Sequence, residues 1–228
     1  MTPSIPRAPK PFAAGHLGAL LEEGGYGVQA HAHAEGRINL VAHRPGSGDR
    51  PPLCFSGHMD TVPLGSTPWS RDPFAGAVEG DRLFGRGSSD MKGGLAAMVV
   101  AALRLAGRPR GKAGIKLILT AGEETGSEGA RHLAGLPGVL GDAGALIVGE
   151  PTSNIPRIGH KGALWLNART SGIAAHGSMP EKGVNAVVKA ARAVLRLQDY
   201  GFGVEPHPVL GAPTLNIGTL SGGSNINS

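Results

Sequence analysis

The stretch Leu53–Pro63, LCFSGHMDTVP, constrains this chain more than any other. Apolar Leu53, Cys54 and Phe55 run into a polar tip that carries His58 and Asp60. The pattern is that of a buried strand ending at a site. Side chains two apart on an extended chain share a face, so His58 and Asp60 point the same way. A histidine that holds a metal usually gives its other ring N–H to an oxygen acceptor, which fixes the tautomer and aims the free lone pair. His-x-Asp at a strand end supplies both parts. The tripeptide alone fits a satisfied strand-end histidine equally well, so the rest of the chain must decide.

Helical spacing runs from Phe12 to Glu23 and stops at Gly24-Gly25. Strand patterns follow over Val28–Ala34 and Ile38–His43, then the His58 strand, then a short strand over Asp81–Phe84. The Gly85–Gly94 loop opens a helix over about Lys92–Ala106. Ile115–Thr120 is almost continuously apolar, as in a buried parallel strand. A helix over Glu128–Leu133 and a strand over Ala145–Val148 complete the series. The alternation predicts an α/β fold: a doubly wound mixed sheet with helices on both faces, over residues 1–161. Past His160 the texture changes. Leu164–Ser171 alternates like a half-exposed strand, His176 sits in a loop, Val184–Leu197 is an amphipathic helix, and Thr214–Leu220 is another strand pattern. Residues 162–228 therefore read as the start of a smaller α+β domain. Doubly wound sheets place their sites outside the carboxyl ends of the strands. His58, Glu123/Glu124 and Glu150 sit at such ends, and Asp90 sits at a helix mouth.

Composition excludes several classes. The 228 residues are 40% hydrophobic and 17% charged, enough to bury a real core. The 38 glycines and 18 prolines lie scattered between apolar runs, as turns do. The net charge of +5 comes without a basic block, and aromatics are only 4%, unlike a nucleic-acid-binding face. No apolar run reaches 18 residues, and the opening MTPSIPRAPKPF lacks the apolar core of a signal peptide. The expectation is a soluble, cytoplasmic protein with no membrane or nucleic-acid partner. A single cysteine excludes an internal disulfide. Cys54 reads as a small buried apolar residue, with a Cys54/His58 nucleophilic pair as the rival. His31 and His33 read as a solvated strand face, with metal binding as the rival. Lys161 or Arg157 could meet a substrate carboxylate, or be solvated cations. A phosphate loop at Gly85–Gly94 lacks the Gly-Lys-Ser/Thr ending, and Asp90 stands where the anion should go.

If His58, Asp90, Glu124 and Glu150 converge, three carboxylates repel one another by about 4 kcal/mol per pair at an effective dielectric near 20. Protons or cations must relieve that. A histidine with carboxylates suits zinc, cobalt or manganese. Asp90, with two oxygens, is the natural bridge between two divalent ions. A water shared between them would become a nucleophile near neutral pH. That water needs a base that does not itself bind metal, and the Glu123–Glu124 pair can divide those roles.

The segments SGHMDTVP, WSRDPF, LFGRGSSDMKGGLAAM, TAGEETGSEGA, VGEPT, HKG and AAHGSMPEKGVNA, in this order, resemble the zinc-dependent M20 aminoacylase/carboxypeptidase family. The likeness is nearest to its acetylornithine deacetylase and succinyl-diaminopimelate desuccinylase branch. It implies two divalent ions, zinc first and cobalt as the alternative. It implies that His58 and Glu150 hold one ion, Glu124 the other, and Asp90 both. Glu123 is then the acid/base and Asp60 orients His58. It implies a cis peptide after Asp90. Residues 162–228 become an incomplete lid and dimerisation domain, whose His176 polarises the substrate carbonyl across a homodimer and whose Asn225 contacts substrate. The expected reaction is hydrolysis of the amide of an N-acyl amino acid, or of a peptide, through a water held by the metals. The family's second ion takes a further histidine from a later segment. The resemblance therefore predicts a truncated chain with one complete metal site and doubtful activity.

Overall fold

A computed structural model describes residues 12–227. The Pro-rich opening stretch lies outside the described residues, apart from Phe12 at the start of the first helix. The strands sort by their apolar pattern. β6 (Ala113–Thr120) is apolar at nearly every position, so it can be covered on both faces and sits mid-sheet. Beside it lie β2 (Arg37–Arg44), antiparallel, and β3 (Arg50–His58), parallel. β1 (Gly27–Ala34) returns on β2 as a hairpin, and β7 (Ala145–Val148) adds in parallel to β3. The order is β1-β2-β6-β3-β7. The expected mixed sheet is present.

Helices cover both faces. α1 (Phe12–Glu23) and α2 (Gly93–Ala106) pack on the face that presents Leu40, Ala42, Phe55, Leu117 and Leu119. The Tyr26 hydroxyl donates to the Ala102 carbonyl at 2.8 Å and ties the turn after α1 to α2. α3 (Glu128–Ala134) packs against β1 and β2 on the opposite face, where Asn39 points. Leucines that are fully buried in this way each contribute about 1.5–3 kcal/mol. The short strand expected over Asp81–Phe84 is half of a two-residue hairpin, β4 (Val78–Glu79) with β5 (Arg82–Leu83). Arg71 braces it through a bidentate pair with Glu79 and a stack on Phe84. Cys54 is buried, as expected of a small apolar residue.

The parallel strands β3, β6 and β7 end at one edge, with His58 opposite Thr120. That edge gathers the loops that carry His58, Glu123/Glu124 and Glu150.

The chain divides between Ile155 and Pro156 into two compact units. In the second unit α4 (Ala186–Gln198) starts two residues later than its apolar pattern, because the Asn185 side chain accepts the Val188 N–H at 3.0 Å and caps it there. The strands expected over Leu164–Ser171 and Thr214–Leu220 do not form, and Leu164 and Leu166 stand 82% and 81% exposed. Alternation specifies a strand only where a partner strand accepts its backbone bonds. Among the described residues of this unit only the single bridge Ile173–Val184 and the turn bridge His207–Gly211 do so.

Candidate metal centre

β3 delivers His58 to the sheet edge with its side chain 2% exposed. Its Nδ1 lies 3.0 Å from the Asp60 carbonyl oxygen. That oxygen can only accept, so in the neutral ring Nδ1 carries the proton and Nε2 is the nitrogen open to a cation. Nε2 faces Asp90 Oδ1 at 3.2 Å, Glu150 Oε1 at 3.7 Å and Glu123 Oε2 at 3.9 Å. The sequence pattern assigns the orienting of His58 to the Asp60 side chain. In the structure the main-chain carbonyl makes the short contact, and the carboxylate lies 3.6 Å from Nδ1. The carboxylate instead accepts from the N–H groups of Gly122 at 2.8 Å, Glu123 at 3.2 Å and Glu124 at 3.2 Å. It holds the loop after β6, which bears both glutamates.

Asp90 stands in a wide turn over Ser88–Lys92, just before α2. The Asp90–Met91 peptide is cis. Glu150 follows β7, whose ladder continues through a bond from the Gly149 N–H to the Ser56 carbonyl at 3.1 Å. Asp90 and Glu150 meet because α2 begins on bare backbone. A Cβ on Gly94 would lie 2.0 Å from the Gly149 carbonyl oxygen. Gly94→Ala must push these two segments apart. The expected outcome is a loss of about 1–3 kcal/mol in thermal unfolding, together with weaker metal binding in calorimetric titration.

Ligand atoms of His58, Asp90 and Glu150 lie within 4.8 Å of one another, the one such trio among the described residues. Four ligands around zinc at about 2.1 Å stand about 3.4 Å apart, close to the 3.2 and 3.7 Å separations from Nε2. The donor set fits a divalent cation. Burial works to lower the His58 pKa, but the carboxylates of Glu150, Asp60 and Glu123 and the Asp60 carbonyl outweigh it and raise it. Burial first, then Asp90, raises Glu124. Burial also raises Glu150, against the opposing pull of His58. The metal-free cluster therefore takes up protons more readily than its free groups would, and a cation competes with those protons. The sign follows: zinc affinity falls as pH drops through the raised histidine range, and again through the raised carboxylate range. Calorimetry at pH 7 in buffers of different ionisation enthalpy should show net proton release. No release would contradict a shared proton-rich cluster.

His176 and Asn225 belong to the second unit. The Ser178 N–H donates to His176 Nδ1 at 3.2 Å, so neutral His176 carries its proton on Nε2. Asn225 Oδ1 accepts from the Asn227 N–H at 2.8 Å. His31 and His33 are partly buried against α3 rather than solvated, and the Nε2 atom of each is buried without a partner. Asn39 escaped the sequence reading. Its signal was a polar residue inside the apolar run Ile38–Ala42.

A histidine and carboxylates at the carboxyl ends of parallel strands, with a spare carboxylate beside them, form a candidate site for a divalent cation. The chain belongs to peptidase family M20/M25/M40, which it matches over residues 54–216; the family's members hydrolyse amide bonds. It is 48% identical over 155 residues to a probable succinyl-diaminopimelate desuccinylase of Staphylococcus epidermidis, covering 67% of this chain and 38% of that one. It is 35% identical over 208 residues to the acetylornithine deacetylase of Vibrio atlanticus, covering 89% of this chain and 54% of that one. A tripeptidase from Staphylococcus aureus superposes with a TM-score of 0.55 at 26% identity, over 94% of this chain and 56% of that one. A family M20 metallo-carboxypeptidase from Sulfolobus solfataricus shares the fold, with a TM-score of 0.59 at 20% identity over 80% of this chain and 44% of that one. The chain thus spans about half or less of these relatives' length. Among the described residues no helix is long and apolar enough to cross a membrane.

Proposed function

We propose that this chain carries the metal centre of a hydrolase that cleaves the amide of N-acyl amino acids, as a deacetylase or desuccinylase does. The observation that carries this reading is His58 Nε2, aimed by the Asp60 carbonyl at Asp90 and Glu150 with Glu123 alongside. His58, Asp90 and Glu150 would hold one ion, with Asp90 free to share its second oxygen with a neighbour held by Glu124. Zinc suits this set best, and cobalt is the alternative. When bound, a divalent cation polarises the amide carbonyl and lowers the pKa of water at the site. Glu123 takes the proton of the attacking water and returns it to the leaving amine. Asp60 keeps Glu123 and Glu124 in place through their main-chain N–H groups. His176, with its proton on Nε2, is in the donor form needed to polarise a carbonyl oxygen. The tripeptidase likeness supports a second reading, cleavage of a short peptide, by the same steps on the same bond type. Homodimerisation through the second unit is part of the proposal, and sedimentation equilibrium tests it.

The purified chain, loaded with zinc or cobalt, should be offered N-acetylornithine, N-succinyl amino acids and di- and tripeptides, with amine release as the readout. Native mass spectrometry should show one tightly held ion per chain. Metal-independent amine release, or no metal binding near neutral pH, would overturn the reading.

A further inference from the structure

Asn39 lies on β2 and is fully buried. The antiparallel pairing of β2 with β6 ends at Leu40 opposite Leu119. Beyond that pair the chain after β6 turns towards the metal centre and leaves the ladder. The Asn39 side chain replaces the lost ladder bond: its Oδ1 accepts the Ala121 N–H at 2.9 Å. That bond fixes which way the amide faces. Nδ2 must then be the atom that donates to the His31 carbonyl at 3.2 Å and to His33 Nδ1 at 3.3 Å. His33 accepts at Nδ1, so its neutral ring carries the proton on Nε2. This leaves that nitrogen no lone pair for a metal.

The next three N–H groups, of Gly122, Glu123 and Glu124, all end on the Asp60 carboxylate. Four consecutive main-chain donors thus terminate on side-chain oxygens, one from β2 and two from the loop after β3. β2 and β3 are the two strands that flank β6. The loop bearing both glutamates is held from either side. Gly129, at the start of α3, completes the contact. Its N–H donates to the Ala121 carbonyl at 3.1 Å, and a Cβ there would meet Asn39 Oδ1 at 2.2 Å.

We propose that Asn39 is a positioning residue for Glu123 and Glu124, acting through the Ala121 N–H as the counterpart of Asp60. The importance of the two glutamates rests on the metal-hydrolase reading above. The geometric claim, that Asn39 anchors the loop, does not.

Amide hydrogen exchange on the full chain, metal-free and zinc-loaded, tests both parts. In the wild type the Ala121 amide should exchange far more slowly than amides of the exposed stretch 65–72. Asn39→Leu keeps the volume and removes the acceptor. It should speed exchange at residues 121–124 about tenfold, leave β6 amides and the zinc held by His58, Asp90 and Glu150 unchanged, and lower zinc-dependent amine release about 10–100-fold. Asn39→Asp keeps an acceptor for the Ala121 N–H and should restore protection at that amide. Gly129→Ala should loosen the same amides while leaving residue 39 intact. Where Asn39→Leu does not fold, the wild-type exchange and Gly129→Ala decide. Ala121 exchanging like the exposed stretch would overturn the proposal. So would an Asn39→Leu protein with unchanged exchange at residues 121–124, or with protection lost evenly through β6. If even the wild type binds no zinc, the metal reading fails, and the exchange data still judge Asn39.

Discussion

Glu123→Gln should lower amide hydrolysis about 10²–10⁴-fold and leave the bound zinc in place. Glu123 Oε2 stands 3.9 Å from His58 Nε2, beside the His58–Asp90–Glu150 trio but outside it. Its main chain is held by Asp60, so the amide variant keeps the same loop and nearly the same shape. What it loses is the capacity to take a proton from water and return it to the departing amine. Metal analysis beside initial rates separates the outcomes. Loss of rate with zinc retained assigns Glu123 as the acid/base. Loss of zinc makes Glu123 a ligand and exchanges its role with that of Glu124. An unchanged rate would remove Glu123 from the chemistry.

His58→Ala should abolish tight zinc binding, an effect beyond the 10–100-fold seen when only a partner of a ligand is lost. His58 is the only nitrogen donor of the trio and is almost fully buried. It also opposes the rise in the Glu150 pKa, so without it the carboxylate holds its proton more firmly against a cation. The substitution leaves a cavity shaped for an imidazole ring. Millimolar imidazole added to a calorimetric titration should therefore recover part of the affinity, which an unfolded variant would not do. Unchanged zinc affinity in His58→Ala, with far-ultraviolet circular dichroism intact, would end the metal-centre argument.

Most of the first unit was legible in the chain because its signals are local. The apolar runs of β3 and β6 and the three-to-four spacing of α1 and α2 each report burial of their own residues. The elements lie within a few residues of the expected limits. His58, Glu123, Glu124 and Glu150 were legible for a related reason: among the parallel strands β3, β6 and β7, strand direction alone sends each carboxyl end to one edge, while Asp90 arrives from the turn before α2. The strands expected at 164–171 and 214–220 failed because alternation states only which faces differ. It does not name the partner that must supply the backbone bonds.

By itself the sequence determined which strands are buried, which polar residues end them, and so which side chains crowd one edge. Only the tertiary structure decided how that crowd is held. The Asp60 carbonyl rather than its carboxylate sets the His58 tautomer, and the carboxylate turns instead to the main chain of Gly122, Glu123 and Glu124. Asn39 reaches that loop from 82 residues away. Bare backbone at Gly94 brings Asp90 against Glu150. All but the His58–Asp60 contact join atoms far apart in the chain, which no periodic pattern encodes.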